Sequence, residues 1–177
     1  VGFALGWMGW HGGVHFHSHQ VGVVADVRGG GVGLALKLAQ RDLCLSEGVT
    51  EMRWTFDPLL WTNARFNLVR LGAHVVEFLP HCYGDRRDAF NTGEITDRVE
   101  VSWRLDRPVG GVESPDSDGD DVIEIPRDYP VIRTTAPELA VKWRAQVGAQ
   151  FAELMASGGA VVGFGNHGYV VRRGTGS

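Results

Sequence analysis

Two residue types that often carry chemistry are scarce in this chain. Lys37 and Lys142 are its only lysines, so 15 of its 17 basic residues are arginines, which argues against a lysine nucleophile or Schiff base. Its two cysteines, Cys44 and Cys82, lie 38 residues apart without a CxxC motif. That spacing indicates free thiols in a reducing compartment, and we expect a cytoplasmic protein.

The chain also lacks long apolar runs and any excess of positive charge. The apolar stretch 1–10 is too short to cross a bilayer and has no basic flank, so it is neither an anchor nor a signal peptide. The net charge of −4 provides no general basic field. We therefore expect no nucleic-acid partner and no membrane partner.

Hydrophobic residues (44%) and charged residues (21%) occur at ordinary globular levels, and their order predicts an α/β fold. The predicted strands share alternating or continuous apolar residues: 1–8, 14–24, 49–56, 73–79 and 98–105. The third strand should carry Met52, Trp54 and Phe56 on one face. The last strand should direct four side chains inward: Val99, Val101, Trp103 and Leu105. Because the first strand begins at once, we expect a further segment of the natural protein before Val1.

Helices are predicted between these strands. The first begins at Val32 and ends at Gly48, with an inward face of Val32, Ala35, Leu36, Ala39 and Leu43. The second begins at Asp57-Pro58 and ends at Gly72. A polar stretch, 108–121, is predicted to be a linker between a domain at 1–107 and an appendage at 122–177, which holds a strand, a helix from near Pro137 and a β-hairpin.

Four glycines stand between the second strand and the first helix, in the segment Arg28-Gly-Gly-Gly-Val-Gly33. Backbone NH groups at a helix start have no internal partners, and glycine lets a phosphate approach them closely. The segment lacks the lysine of a P-loop, and Leu34 or Leu36 stands where a dinucleotide-binding motif needs glycine or alanine. A tight turn without a ligand remains the alternative.

The spacing Arg28-x-x-Gly31-x-Gly33 is that of the R-x-x-G-x-G loop that binds acyl-coenzyme A, and here the chain resembles the GNAT superfamily of N-acetyltransferases. The resemblance covers about residues 1–105 and includes the preceding strand 21–27 and the later helix ending in Leu71-Gly72. The chain is similar in particular to a bacterial GNAT-like group whose members carry an HSH stretch and an RWTFDP segment, which are found here at residues 17–19 and 53–58. It implies a mixed α/β sheet of GNAT type, incomplete at its N-terminus, followed by a C-terminal β-α-β-hairpin appendage.

The resemblance also implies site residues and a co-substrate, acetyl-CoA or another acyl-CoA, without a metal. The pyrophosphate would be held by Arg28, Gly29, Gly30, Gly31, Val32 and Gly33. The pantetheine arm would pair with the backbone of Val21, Gly22 and Val23, and Asn63 or Asn67 would reach the pantetheine or acyl end. Each asparagine could equally be a polar residue on an exposed helix face.

Two features depart from the family. Family members usually start with a strand, two helices and a strand, which help to form the acceptor pocket. These elements are absent ahead of Val1 in this sequence. Many members also carry a tyrosine four residues before the glycine that ends the later helix, and this tyrosine protonates the leaving thiolate. Leu68 stands there, so another group donates that proton or no transfer occurs.

Three histidines, His15, His17 and His19, alternate along the second strand and should share one face. In the family this strand often presents the base that removes the amine proton, a role for His17 or His19. Alternatively the face binds a metal, although a spacing of about 6.6 Å between successive same-face residues strains a three-histidine site. Structural hydrogen bonding is the third interpretation.

The leading hypothesis is therefore an enzyme, an acyl-CoA-dependent N-acyltransferase that acts on a small-molecule or peptide amine by direct attack. A non-catalytic acyl-CoA-binding module is the first alternative, because of Leu68. A metal-dependent enzyme that uses the face of His15, His17 and His19 is the second. The sequence leaves the oligomeric state open, a homodimer included.

Overall fold

The computed structural model describes residues 1–84, 87–88, 91–92, 96–111 and 121–174. The strands are β1 Gly2–Gly9, β2 His15–Val23, β3 Glu51–Phe56, β4 His74–Leu79, β5 Arg87–Asp88, β6 Asn91–Thr92, β7 Arg98–Arg104, β8 Asp121–Glu124, β9 Ala160–Phe164 and β10 Gly168–Arg172. The helices are α1 Val32–Ser46, α2 Trp61–Arg65 with a π-helical continuation Phe66–Leu71, α3 Tyr129–Thr135 and α4 Pro137–Ala156, and a 3-10 turn spans Ala25–Val27. Within the described ranges, none of these helices is long and apolar enough to cross a membrane.

The strands form a mixed five-stranded sheet in the order β1-β2-β3-β7-β4, an antiparallel three-stranded sheet in the order β8-β10-β9, and the small pair β5-β6. In the large sheet β1 and β2 are antiparallel, whereas β2 and β3 are parallel. Helix α1 separates β2 from β3, and α2 with its π-helical continuation separates β3 from β4. The predicted α/β class with a mixed sheet is therefore confirmed.

The chain divides into two compact units. One comprises Val1–Thr55 with Ser102–Val109, and the other comprises Phe56–Val101 with Gly110–Ser177. This division differs from the predicted domains 1–107 and 122–177. Most of the predicted linker 108–121 lies outside the described residues, namely 112–120.

The predicted faces of β3 and β7 are confirmed, because the residues assigned to them are buried, although Ser102 of β7 is buried as well. The buried residues include Met52, Trp54, Phe56, Val99, Val101, Trp103 and Leu105. The predicted helix near Pro137 and the C-terminal hairpin are also present as α4 and as β9 with β10. Helix α3, by contrast, was not expected from the sequence.

The predicted inward face of α1 is wrong. Leu43 is 61% exposed, whereas Lys37, Gln40 and Cys44 are only 3%, 9% and 4% exposed. Polar side chains occupy the buried positions because they bond to a polar residue of β2, Ser18, which the helical period alone does not reveal. The length of α1 agrees with the prediction, and Gly48, with φ of 75°, follows its last turn.

The helix after β3 begins later than predicted, at Trp61 rather than at Asp57-Pro58. The Asp57 carboxylate caps the intervening turn by accepting a 2.9 Å bond from the Leu59 NH, and it also accepts two bonds, of 2.7 and 2.6 Å, from Arg144 on α4. Tyr169, on β10, donates a 2.7 Å bond to the Pro58 carbonyl. The segment 121–174 thus shares one unit with 56–101.

Candidate functional site

Strands β2 and β3 diverge in the middle of the sheet. They pair over only two positions, Phe16 with Met52 and His17 with Arg53, although β2 runs to Val23 and β3 to Phe56. Beyond His17 the edge of β2 that faces β3 therefore has no strand partner in the described part of the chain. Such an edge presents NH and C=O groups that an extended ligand can pair with.

Two residues of β2, Val21 and Val23, direct backbone NH and C=O groups into this gap. The Val24 NH donates to the Val1 carbonyl at 2.9 Å, so Val24 and, by alternation, Gly22 face β1. Val21 and Val23 consequently direct their NH and C=O groups toward the gap. The side chain of Arg28 reaches the same edge, where its Nε donates to the Val23 carbonyl at 3.1 Å.

A β-bulge lies beside the point of divergence. Leu5 pairs with Gln20 and Gly6 pairs with Ser18, which leaves His19 as an extra residue on β2. A bulge bends its strand and increases the local twist. The bulge at His19 therefore lies two residues beyond the last pair between β2 and β3, at His17.

The glycine-rich loop follows the gap and leads into α1. Gly29 and Gly31 adopt left-handed φ values of 80° and 83°, and Gly31 is the residue immediately before the helix. A Cβ atom built at Gly29, Gly31 or Gly33 would meet no atom within 4 Å, so the space over the loop is open. The NH groups of the first turn and the positive end of the α1 dipole favour an anion there, and Arg28 is exposed beside them.

His17 and His19 share one face of β2, as predicted, together with Trp7 of β1. Ring centroids lie 5.4 Å apart for Trp7 and His17, 4.6 Å for Trp7 and His19, and 6.2 Å for the two histidines. Burial and then the nearby His19, His15 and Lys37 lower the pKa of His17 below 6.5. A histidine in this state is neutral and able to accept a proton at physiological pH.

His15 differs from this pair because it is buried and hydrogen-bonded to the backbone. It is 4% exposed, and its Nδ1 lies 2.9 Å from the Gly13 carbonyl oxygen. The described residues include no group of three or more His, Cys, Asp or Glu side chains that could hold a metal ion. The structure thus provides no geometric support for the metal interpretation in those ranges.

An acidic residue that sequence reasoning missed, Glu51, begins β3. Arg53 Nε and Ser102 Oγ donate to its Oε1 at 2.6 and 2.7 Å. Burial acts to raise the pKa of Glu51, but these two bonds and the charges of Arg53 and His15 hold it below its usual value. The strict alternation of β3, which buries Met52, is the signal that sets Glu51 and Arg53 on the opposite face.

A second missed group lies on the α1 side of β2. Lys37 Nζ donates to Ser18 Oγ at 2.8 Å, and Ser18 Oγ donates to Gln40 Oε1 at 3.0 Å. Nζ also lies 3.6 Å from the ring centroid of Trp54. Burial lowers the pKa of Lys37 to about 7, partly offset by the nearby Cys44. The scarcity of lysine pointed away from this residue.

The asparagines predicted to reach the acyl end belong to the other compact unit. Asn63 is exposed on α2, whereas Asn67 is 5% exposed in the π-helical turn. The backbone carbonyl of Asn67 accepts a hydrogen bond from the Ala73 NH. Leu68, next in sequence, lines a cavity of about 200 Å³ with Gly72, His74, Gly111 and Val161 among its walls. Leu68 has no side-chain hydroxyl that could donate a proton to the leaving thiolate.

Comparison with models of known protein families and with curated proteins finds no match to this chain. The function is therefore inferred from the geometry of the gap, the loop and the side chains around them.

Proposed function

We propose that the chain is an acyl-CoA-dependent N-acyltransferase of the GNAT type, with acetyl-CoA as the first donor to test and a small-molecule or peptide amine as acceptor. The observation that carries this proposal is the divergence of β2 and β3 after His17, with a glycine-rich helix start at the end of the same strand. An open strand edge followed by an anion site suits a ligand with an extended amide arm and a pyrophosphate.

The fit to acyl-CoA can be tested on the loop itself. The open space over Gly29, Gly31 and Gly33 would accommodate phosphate oxygens, and Cβ atoms there would reduce it. Arg28 can supply a charge-assisted contact because its side chain is exposed at the same edge. Val21 and Val23 would pair with the amide groups of the pantetheine arm.

When bound, acyl-CoA supplies a thioester whose acyl carbon an amine attacks directly, without a covalent enzyme intermediate. The backbone NH groups at the open edge of β2 orient and polarise the acyl oxygen. His17, which is neutral and lies beside the point of divergence, accepts the amine proton, and His19 is the second candidate for this role. We propose a cytoplasmic location on the basis of the free thiols Cys44 and Cys82.

A non-catalytic acyl-CoA-binding module is the second candidate, favoured by Leu68 at the position of the family's proton-donating tyrosine. A panel of amines with acetyl-CoA separates the two functions when thiol release and CoA binding are both measured. Binding with amine-dependent thiol release supports the acyltransferase. Binding without release supports the module, and absence of binding contradicts both.

A further inference from the structure

Ser18 and Lys37 form a buried hydrogen-bonded unit on the α1 side of β2. Both residues are 3% exposed, and Nζ of Lys37 lies 2.8 Å from Oγ of Ser18. Ser18 follows His17 directly, so it is the first residue of β2 beyond the last pair with β3. The unit thus lies where the gap begins.

Among the described residues, the groups around the Lys37 ammonium include no carboxylate. The atoms facing Nζ are Ser18 Oγ from β2 and, from β3, the Trp54 ring at 3.6 Å and Met52 Sδ at 3.9 Å. The titratable groups that act on Lys37 or feel its charge are Cys44 of α1 and His17 of β2. Burial of an amine without a carboxylate is costly, and a costly buried group of this kind is often functional.

We propose that Ser18 and Lys37 form the proton relay that protonates the leaving thiolate of coenzyme A. This inference rests on the proposed function and supplies the donor that Leu68 cannot provide. Lys37 acts through Ser18, so Ser18 is the group that meets the sulfur and Lys37 is the proton source.

The two faces of β2 separate the two proton transfers. The rings of His17 and His19 lie with Trp7 on one face, whereas Ser18 contacts α1 on the other. The amine can therefore lose its proton on one side of the strand while the sulfur gains a proton from the other side. A serine hydroxyl suits the relay because it donates one proton and accepts another.

The step is balanced in atoms and charge. The amine nitrogen forms a bond to the acyl carbon, the C–S bond breaks, and its electron pair goes to sulfur. The Ser18 hydroxyl, turned away from Gln40, gives its proton to sulfur and receives one from the Lys37 ammonium. His17 or His19 takes the amine proton, and solvent restores both groups before the next turnover.

The direct test is an NMR titration of the whole chain labelled with [13Cε]lysine. Because Lys37 and Lys142 are the only lysines, two signals are expected, and exposed Lys142 is the internal reference. Lys37 should titrate near pH 7, well below the ordinary lysine value of about 10.4. Titration of the Lys37 signal near that ordinary value would overturn the relay.

The kinetic test compares Lys37→Met with Lys142→Met. Lys37→Met should lower kcat by about 100-fold or more and should abolish the fall in kcat as pH rises through about 7, while CoA affinity is retained. Lys142→Met should keep the parent rate and profile. Ser18→Ala retains the amine and should show the same kinetic loss, which supports the relay if Lys37→Met does not fold.

The outcomes separate this inference from the proposed function. Parent thiol release with an unchanged rate and pH profile in Lys37→Met and Ser18→Ala would overturn the relay alone. Acetylation of Lys37 itself, read by peptide mass spectrometry, would also overturn it, because the amine would then be a nucleophile. A wild-type chain that binds CoA without thiol release overturns the relay and leaves the binding module, and a chain that binds no CoA overturns both.

Discussion

His17 and Arg53 form the last residue pair between the parallel strands β2 and β3. The next residue along β2, Ser18, bonds to Lys37 of α1, and the one after it, His19, is the extra residue of a β-bulge. The end of pairing, the bulge and two kinds of proton-transferring side chain thus occur within three consecutive residues. This concentration explains why we assign the chemistry to the start of the gap and the anion site to its far end, at the glycine loop.

The first prediction concerns Arg28. Arg28→Gln should weaken binding of coenzyme A by about 10-fold to 100-fold, because a charge-assisted contact to the pyrophosphate is lost. Binding of pantetheine, which carries no phosphate, should not change. Calorimetry with both ligands measures the difference, and Arg107→Gln, at an exposed arginine of the same unit, is the control. Equal losses for the two ligands would contradict a phosphate role for Arg28.

The second prediction concerns the histidine face. His17→Ala should lower turnover by about 10²–10⁴-fold and leave CoA affinity nearly unchanged. Because burial and neighbouring groups lower the pKa of His17, the rise of kcat/KM with pH should occur below pH 6.5. His15→Ala should cost much less, and His19→Ala identifies the alternative base. If all three histidine variants keep the parent rate while Glu51→Gln loses activity, the base is Glu51 of β3 and not a histidine.

The third prediction links Lys37 to stability. Its pKa is about 7 in the folded chain against 10.5 for an ordinary lysine, so the unfolded chain binds more protons between these values. Stability should therefore rise with pH across this window, by at most about 1.4 kcal/mol per pH unit from this group. Below pH 7 both states are protonated, and the unfavourable contribution is constant.

Lys37→Met should accordingly be more stable than the parent chain at pH 7, and the difference should shrink as the pH approaches 10. Urea unfolding at several pH values measures this difference in the free energy of unfolding. Lys142→Met should show no comparable trend, because Lys142 is exposed. If the difference in the free energy of unfolding between the parent chain and Lys37→Met does not vary with pH, the pKa of Lys37 is not lowered in the folded chain.

The fourth prediction concerns the ion pair between Asp57 and Arg144. Arg144→Met leaves the Asp57 carboxylate, whose side chain is 12% exposed, with the Leu59 NH and the more distant Arg98 Nη1, at 3.9 Å, among its described partners. The substitution should cost about 3–5 kcal/mol. Adding Asp57→Asn should recover part of the loss. Arg173→Met, which breaks exposed pairs, should cost less than about 1 kcal/mol. Equal costs for Arg144→Met and Arg173→Met in urea unfolding would contradict this account.

Strand β3 could be predicted from the sequence because its burial alternates strictly with its apolar residues. Met52, Trp54 and Phe56 are buried on β3 as expected, and the glycine-marked ends of the helices at Gly48 and Gly72 are also correct. The delayed start of α2 could not be predicted, because the Asp57 side chain is bonded by Arg144, which lies 87 residues away in sequence.

The polar part of the candidate site was also hidden in the sequence. The helical period of α1 favours Leu43 as a buried residue, yet the buried positions are Lys37, Gln40 and Cys44. Ser18 and Lys37 are 19 residues apart, so their bond follows only once α1 is known to cover β2. By contrast, the glycine loop could be predicted because the motif, the strand and the helix are contiguous.

Binding of the acyl-CoA pyrophosphate by the glycine loop can be measured by calorimetric titration of acetyl-CoA into the parent chain, Gly31→Val and Gly48→Val. Gly31 and Gly48 flank the same helix, have φ values of 83° and 75°, and have no atom within 4 Å of a Cβ placed on them. The backbone strain of valine is therefore matched, whereas only Gly31 lies in the loop. We expect saturable binding to the parent and to Gly48→Val, and loss of binding in folded Gly31→Val. Equal affinity in all three, or no binding to the parent chain, would show that the glycine loop is not the pyrophosphate site.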